Sequence, residues 1–169
     1  MLRKLGLFKK LSKKQTIEET LKQADKLCFE IISTELSHLD ILGYTYTTAE
    51  AIDELGLDDD LMHQLVEDYV IQIIKASIQF DEYLELLELS QKNKNRLDYT
   101  PFRELAHKNL GVARNLRIKD AEKLLYELMK KDELTYLKSC LEALKACSIK
   151  LKPECAYNTL NLIAVKNSF

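Results

Sequence analysis

One histidine sits where its type and setting allow chemistry: His107, in the run Pro-Phe-Arg-Glu-Leu-Ala-His-Lys-Asn-Leu-Gly-Val-Ala-Arg-Asn-Leu over residues 101–116. Projected at roughly 100° per residue, the helical period, Phe102, Leu105, Ala106, Asn109, Val112, Ala113 and Leu116 gather on one arc. His107 falls opposite that arc, with Leu105 about 160° and Leu116 about 180° away and Gly111 only about 40° away. Arg103 and Arg114 share its face, one and two turns off. A solvent-facing imidazole offers a ring nitrogen open to an incoming molecule. The arginines bias that face positively, and the glycine lets another surface come close.

The rest of the chain has the composition to hold such a helix rigidly. Its 169 residues are 46% hydrophobic, enough for one core, and it has only four Gly, two Pro and no Trp. Few turn formers and many Leu, Lys, Glu and Ala point to long helices and an all-α protein. The net charge of −2 hides a division. Residues 1–14 hold six of the 25 basic residues and no acid, leaving 19 basic against 27 acidic residues, a net of −8, for the remainder. A body that acidic argues against a nucleic-acid-binding domain. The basic start, interleaved with Leu2, Leu5, Leu7, Phe8 and Leu11, reads either as a frayed terminus or as an amphipathic anchor giving peripheral membrane contact.

Along the chain, Thr16 with Glu19 forms a capping box that opens a helix carrying Ile17, Leu21, Ala24, Cys28, Ile31 and Ile32 on one face, with Gly43 closing the segment. Thr47 with Glu50 is a second capping box, for a short helix that stops at Gly56. Asp58 caps the long helix that follows, whose apolar stripe runs from Met62 to Leu87. The polar run 91–97 reverses the chain, and Thr100 and Pro101 start the histidine helix as cap and first helical residue. Helices over 120–131 and from Leu134 to Ile149 follow, and Pro153 precedes a short final helix. Cys140 and Cys147, two turns apart, belong to one face and read as small buried groups. Asn109, inside the apolar arc, needs a buried partner or a water for its amide.

The residues around His107 resemble the His-x-Leu-Lys-Gly-x-Ser/Ala-x-x-Leu-Gly signature of histidine-containing phosphotransfer (HPt) domains. His107, Gly111, Ala113 and Leu116 agree with it. Asn109 stands where the family has leucine, Leu110 where it has lysine, and Arg117 where it has a second glycine. The order of elements upstream, a short helix, a glycine with Leu57 and Asp58, then a long amphipathic helix, is also similar to HPt domains. The resemblance implies a four-helix bundle over residues 48–151. Residues 1–47 would add a basic segment and an amphipathic helix, and residues 152–169 a short C-terminal helix. It further implies a phosphocarrier rather than an enzyme: His107 exchanges a phosphoryl group with the aspartate of a receiver domain. The receiver supplies magnesium and the carrier needs no cofactor. Gly111 would let the receiver close in, Leu110 would present an apolar contact where the lysine is missing, and Arg103 or Arg114 would supply the positive charge. The partners implied are a receiver and a hybrid histidine kinase, in the cytoplasm. A binding module of the same descent, docking receivers or kinases without accepting phosphate, is the alternative.

Other chemistry finds little support. The sequence has no Gly-rich phosphate loop, no serine or cysteine nucleophile paired with histidine, and no metal-ligand cluster. His38, His63 and His107 fall on separate helices, and the first two read as solvated. Cys28, Cys140, Cys147 and Cys155 lack any Cys-x-x-Cys spacing and read as reduced thiols. Lys9 and Lys10 interrupt the only early apolar run, so no secretory segment is read there, and no run is long enough for a membrane span.

Overall fold

The computed structural model describes residues 7–10 and 15–167. Among them regular structure is helical throughout: α1 (Leu7–Lys10), α2 (Ile17–Ser33), α3 (Ala49–Leu55), α4 (Asp59–Lys92), α5 (Thr100–Asn115), α6 (Lys119–Lys130), α7 (Leu134–Leu151) and α8 (Pro153–Asn167), with one 3-10 turn at Ser37–Leu39. The protein is all-α. No helix among the described residues is long and apolar enough to cross a membrane.

Local chemistry sets most of the helix starts. Thr16 Oγ1 accepts the Glu19 amide at 3.1 Å while Glu19 Oε2 accepts the Thr16 amide at 3.3 Å, so the first capping box forms. Asp58 Oδ1 accepts the Leu61 amide at 2.7 Å and starts α4. The second box, Thr47 with Glu50, does not form. Thr48 takes the position before α3 without a side-chain bond, and Glu50 reaches instead to Lys119 Nζ, 3.3 Å away at the start of α6. A tertiary ion pair has taken the carboxylate that a local cap would have used. In α5 the start comes one residue early, with Thr100 already helical and its amide donated to Asp98 Oδ1 at 3.0 Å.

α2 ends at Ser33, well before Gly43. The hydroxyls of Ser33 and Thr34 donate to the carbonyls of Phe29 and Glu30, and the Leu36 amide donates to Ile31 O at 3.1 Å. Paired hydroxyls competing for last-turn carbonyls stop the helix there. Gly43 does adopt a left-handed φ of 78°, but within the connector that follows.

α7 is the hub. It packs against α1, α2, α4, α6 and α8, and its buried residues include polar ones such as Ser139, Glu142, Lys145 and Ser148. Around it, α4 packs on α5 and α5 on α6, while α6 returns to α7. One apolar cluster runs from Leu7 through Ala156. Leu7 is 2% exposed and Phe8 packs against the same cluster, so these two side chains face the core, not a membrane. The remaining residues of the basic start, 1–6 and 11–14, lie outside the described residues.

The deepest polar feature stands beside them. Lys145 is fully buried, with Nζ 2.7 Å from Asp81 Oδ2, 3.0 Å from Glu142 Oε1 and 5.2 Å from the centre of the Phe8 ring. Glu142 Oε2 in turn accepts the Leu7 amide at 2.8 Å. A buried ammonium is tolerable only with such a set of partners. Here they tie α1, α4 and α7 together.

Candidate functional site

α5 is held from two sides. Phe102, at its first turn, meets Phe80 of α4 edge-on with ring centroids 5.1 Å apart, a contact worth about 0.5–1.5 kcal/mol beyond area burial. α6 covers the other flank. The buried residues of α5 are Phe102, Ala106, Asn109, Leu110 and Ala113. His107 projects away from them and is exposed.

His107 differs from the other two histidines in having no side-chain partner among the described residues. His38 Nε2 lies 2.9 Å from the Tyr136 hydroxyl, which also donates to Glu127. His63 lies between Asp59, 3.4 Å from Nε2, and Lys152, whose Nζ is 3.2 Å from Nδ1. Only the His107 imidazole leaves both ring nitrogens to whatever arrives from solvent.

Its neighbours divide. Arg103 is exposed, its guanidinium 4.9 Å above the Tyr99 ring and without an acidic partner among the described residues. Arg114 is exposed too, but its Nε donates to Glu122 Oε1 of α6 at 3.0 Å, which draws its charge away from the histidine. A Cβ built on Gly111 would meet nothing within 4 Å. The fold itself therefore does not require glycine there, and a side chain would obstruct only an approaching molecule.

Leu110 is a correction. The resemblance offers it as an apolar contact for a receiver, yet it is 2% exposed and belongs to the core. Because α5 packs against both α4 and α6, its buried arc is centred closer to Ala106 and Ala113 than the apolar residues alone suggest, and Leu110 falls inside its edge. Asn109 is buried as expected and both ends of its amide are satisfied. Nδ2 donates to Leu105 O at 2.9 Å and Oδ1 accepts from Gln72 Nε2 of α4 at 3.2 Å.

Two further cations, at the α4–α5 seam, escaped the sequence reading. A groove of about 300 Å³ between α4 and α5 is lined by Gln72, Lys75, Gln79, Leu105, Lys108 and Asn109. Lys75 and Lys108 are exposed and have no acidic partner among the described residues. Lys108 is adjacent to His107 in sequence, but Lys75 lies on another helix and becomes relevant only through packing.

The turn after α5 is pinned as firmly as the His107 strip is open. Arg117 adopts a left-handed φ of 62°, the conformation that glycine takes most readily, at the position where the HPt signature has its second glycine. Its Nη1 donates to Arg114 O at 2.8 Å and Asn115 O at 3.1 Å, and its guanidinium pairs with Glu54 of α3. Tyr46 donates to Leu116 O at 2.7 Å, and Tyr44 donates to Arg117 O at 3.3 Å while accepting the Lys119 amide at 3.1 Å. Burial pushes both phenols up, Tyr46 to about 12, so both keep their donor protons at neutral pH. Tyr44 and Tyr46 are thus the brace of the α5–α6 turn.

No group of three or more histidine, cysteine, aspartate or glutamate side chains among the described residues could hold a metal ion. No protein-family model, no curated protein and no solved structure matches the chain.

Proposed function

We propose that the protein is a histidine phosphocarrier, HPt-like, which takes a phosphoryl group from the aspartyl phosphate of a receiver domain onto His107 and can return it. The observation that carries this reading is the exposed imidazole, without a side-chain partner among the described residues, on a helix packed against α4 and α6. In the step, a lone pair of His107 forms the N–P bond as the P–O bond to the receiver's aspartate breaks, and the carboxylate leaves. The carrier's contribution is position, while magnesium and the remaining charge stabilisation come from the receiver. The ring of neighbours α4–α5–α6–α7 supports an HPt-like four-helix bundle, with α2 and α8 added outside it. Arg103, one turn before His107, and Lys108, next to it in sequence, provide the positive charge that Leu110, turned into the core, does not. Receivers and a hybrid kinase are the partners that go with this reading, and the cytoplasm is the location.

A specific observation favours the second reading, a non-phosphorylated HPt-derived adaptor: the position of the family lysine is a buried leucine, and Arg114 is held by Glu122. The experiment is transfer from a panel of magnesium-loaded phosphorylated receivers to the wild-type chain and to His107→Gln. Acid-labile label on wild type alone is the expected result. Saturable receiver binding by both chains without label would replace the carrier with the adaptor, and neither label nor binding would remove both.

A further inference from the structure

α2 and α7 bring together two thiols that the phosphocarrier reading does not use. Cys28 Sγ and Cys147 Sγ are 3.7 Å apart although 119 residues separate them in sequence. Disulfide formation closes such a gap by less than 2 Å, a side-chain adjustment, given the S–S length of about 2.05 Å. Both cysteines line a cavity of about 470 Å³. Its lining includes Phe29 and Leu42, both exposed, so the cavity communicates with solvent and a small molecule can reach the sulfurs.

We infer that Cys28 and Cys147 are a peroxide-reactive dithiol that closes to an intramolecular disulfide across α2 and α7. The roles of the two sulfurs follow from their surroundings. Cys28 is assigned the nucleophile's role: the hydrogen bond it shares with Cys147, in which either sulfur can donate, and the Lys150 ammonium that lines the same cavity hold its thiol below the usual range. Cys147 is the resolving partner: the same hydrogen bond, burial and the Asp120 carboxylate all keep its proton on. Asp120 also lines the cavity, and burial raises its own carboxyl, which suits it to receive the Cys147 proton during resolution.

The chemistry balances with hydrogen peroxide as oxidant. The Cys28 thiolate attacks one peroxide oxygen and the O–O bond breaks; the departing hydroxide takes up the proton that Cys28 released, giving water and a sulfenic acid. Cys147, its proton passing to Asp120, attacks the sulfenic sulfur and the S–O bond breaks. The second hydroxide takes that proton and leaves as water. Two thiols are oxidised by two electrons and one peroxide is reduced to two waters. The other cysteines are set apart from this chemistry. Cys140 is fully buried with its thiol pushed up to about 12, and Cys155 donates to Glu67 O at 3.7 Å.

The test treats the full-length wild-type chain with stoichiometric hydrogen peroxide, blocks residual thiols with iodoacetamide and maps the peptides without reduction. The expected result is a Cys28–Cys147 cross-linked peptide that dithiothreitol releases, with Cys140 and Cys155 still alkylated. Cys28→Ser and Cys147→Ser should each lose the cross-link, and Cys147→Ser should accumulate the Cys28 sulfenic acid, trapped by dimedone. Because the primary map uses the wild-type chain, a variant that folds poorly does not decide the outcome. Oxidation of Cys140 or Cys155 ahead of this pair, separate sulfinic acids on Cys28 and Cys147, or disulfides between chains would each overturn the inference.

Discussion

Two clusters of charge serve opposite ends. Around Lys145 the charges are answered: the fully buried ammonium meets the buried Glu142 and the part-exposed Asp81, and Glu142 also holds the Leu7 amide. On α5, Arg103 and Lys108 stand exposed without acidic partners, and the His107 imidazole without a side-chain partner, among the described residues. Charge buried in the hub fixes which helices meet. Charge left open on α5 fixes nothing inside the molecule, so its cost to the fold is small and its availability to a partner is complete.

The sharpest way to break that contrast is Lys145→Ala. It strands Glu142 and part of Asp81 without their cation, and a loss of about 3–5 kcal/mol is expected in urea unfolding followed by circular dichroism. A loss below about 1 kcal/mol would mean that the cluster is not the keystone described. Next comes the braced turn. Arg117→Ala keeps the left-handed strain while losing the carbonyl bonds and the pair to Glu54, and should cost about 1–2 kcal/mol. Arg117→Gly loses the same contacts but relieves the backbone, so it should lie closer to wild type in the same measurement. Equal losses in the two variants would show that backbone strain at this position is negligible. The smallest change in stability belongs to the open face: His107→Gln and Arg103→Ala should each stay within about 0.5 kcal/mol of wild type. Only there should receiver phosphotransfer fall while the melting curve stays in place.

Much of this was legible in the amino-acid order. Thr16 with Glu19, and Asp58, mark helix starts because capping is local chemistry, and His107 is exposed because a strong apolar arc lies opposite it. The end of α2 and the start of α5 are misread through local side-chain bonds, and the other failures share one cause, partners distant in sequence. Glu50 has the right spacing to cap α3 but answers Lys119, 69 residues on. Leu110 lies at the edge of an arc whose width depends on two packed neighbours, so α5 alone does not locate it. Lys145 looks like any solvated lysine of a charged helix, and only the convergence of α1, α4 and α7 reveals that it has no route to water. Tyr44 and Tyr46 carry no periodic signal at all, since they act singly on the carbonyls of another segment.

The position of α7 as hub also has a consequence for biosynthesis. α2 emerges early with its apolar face complete, yet the surface that covers this face is α7, which begins roughly 100 residues later. At about 5–20 residues per second, ribosomal elongation leaves Ile31 and Ile32 uncovered for roughly 5–20 s. During that interval the nascent chain is a substrate for holding chaperones, and any truncation before Leu134 strands α2 without its partner for good.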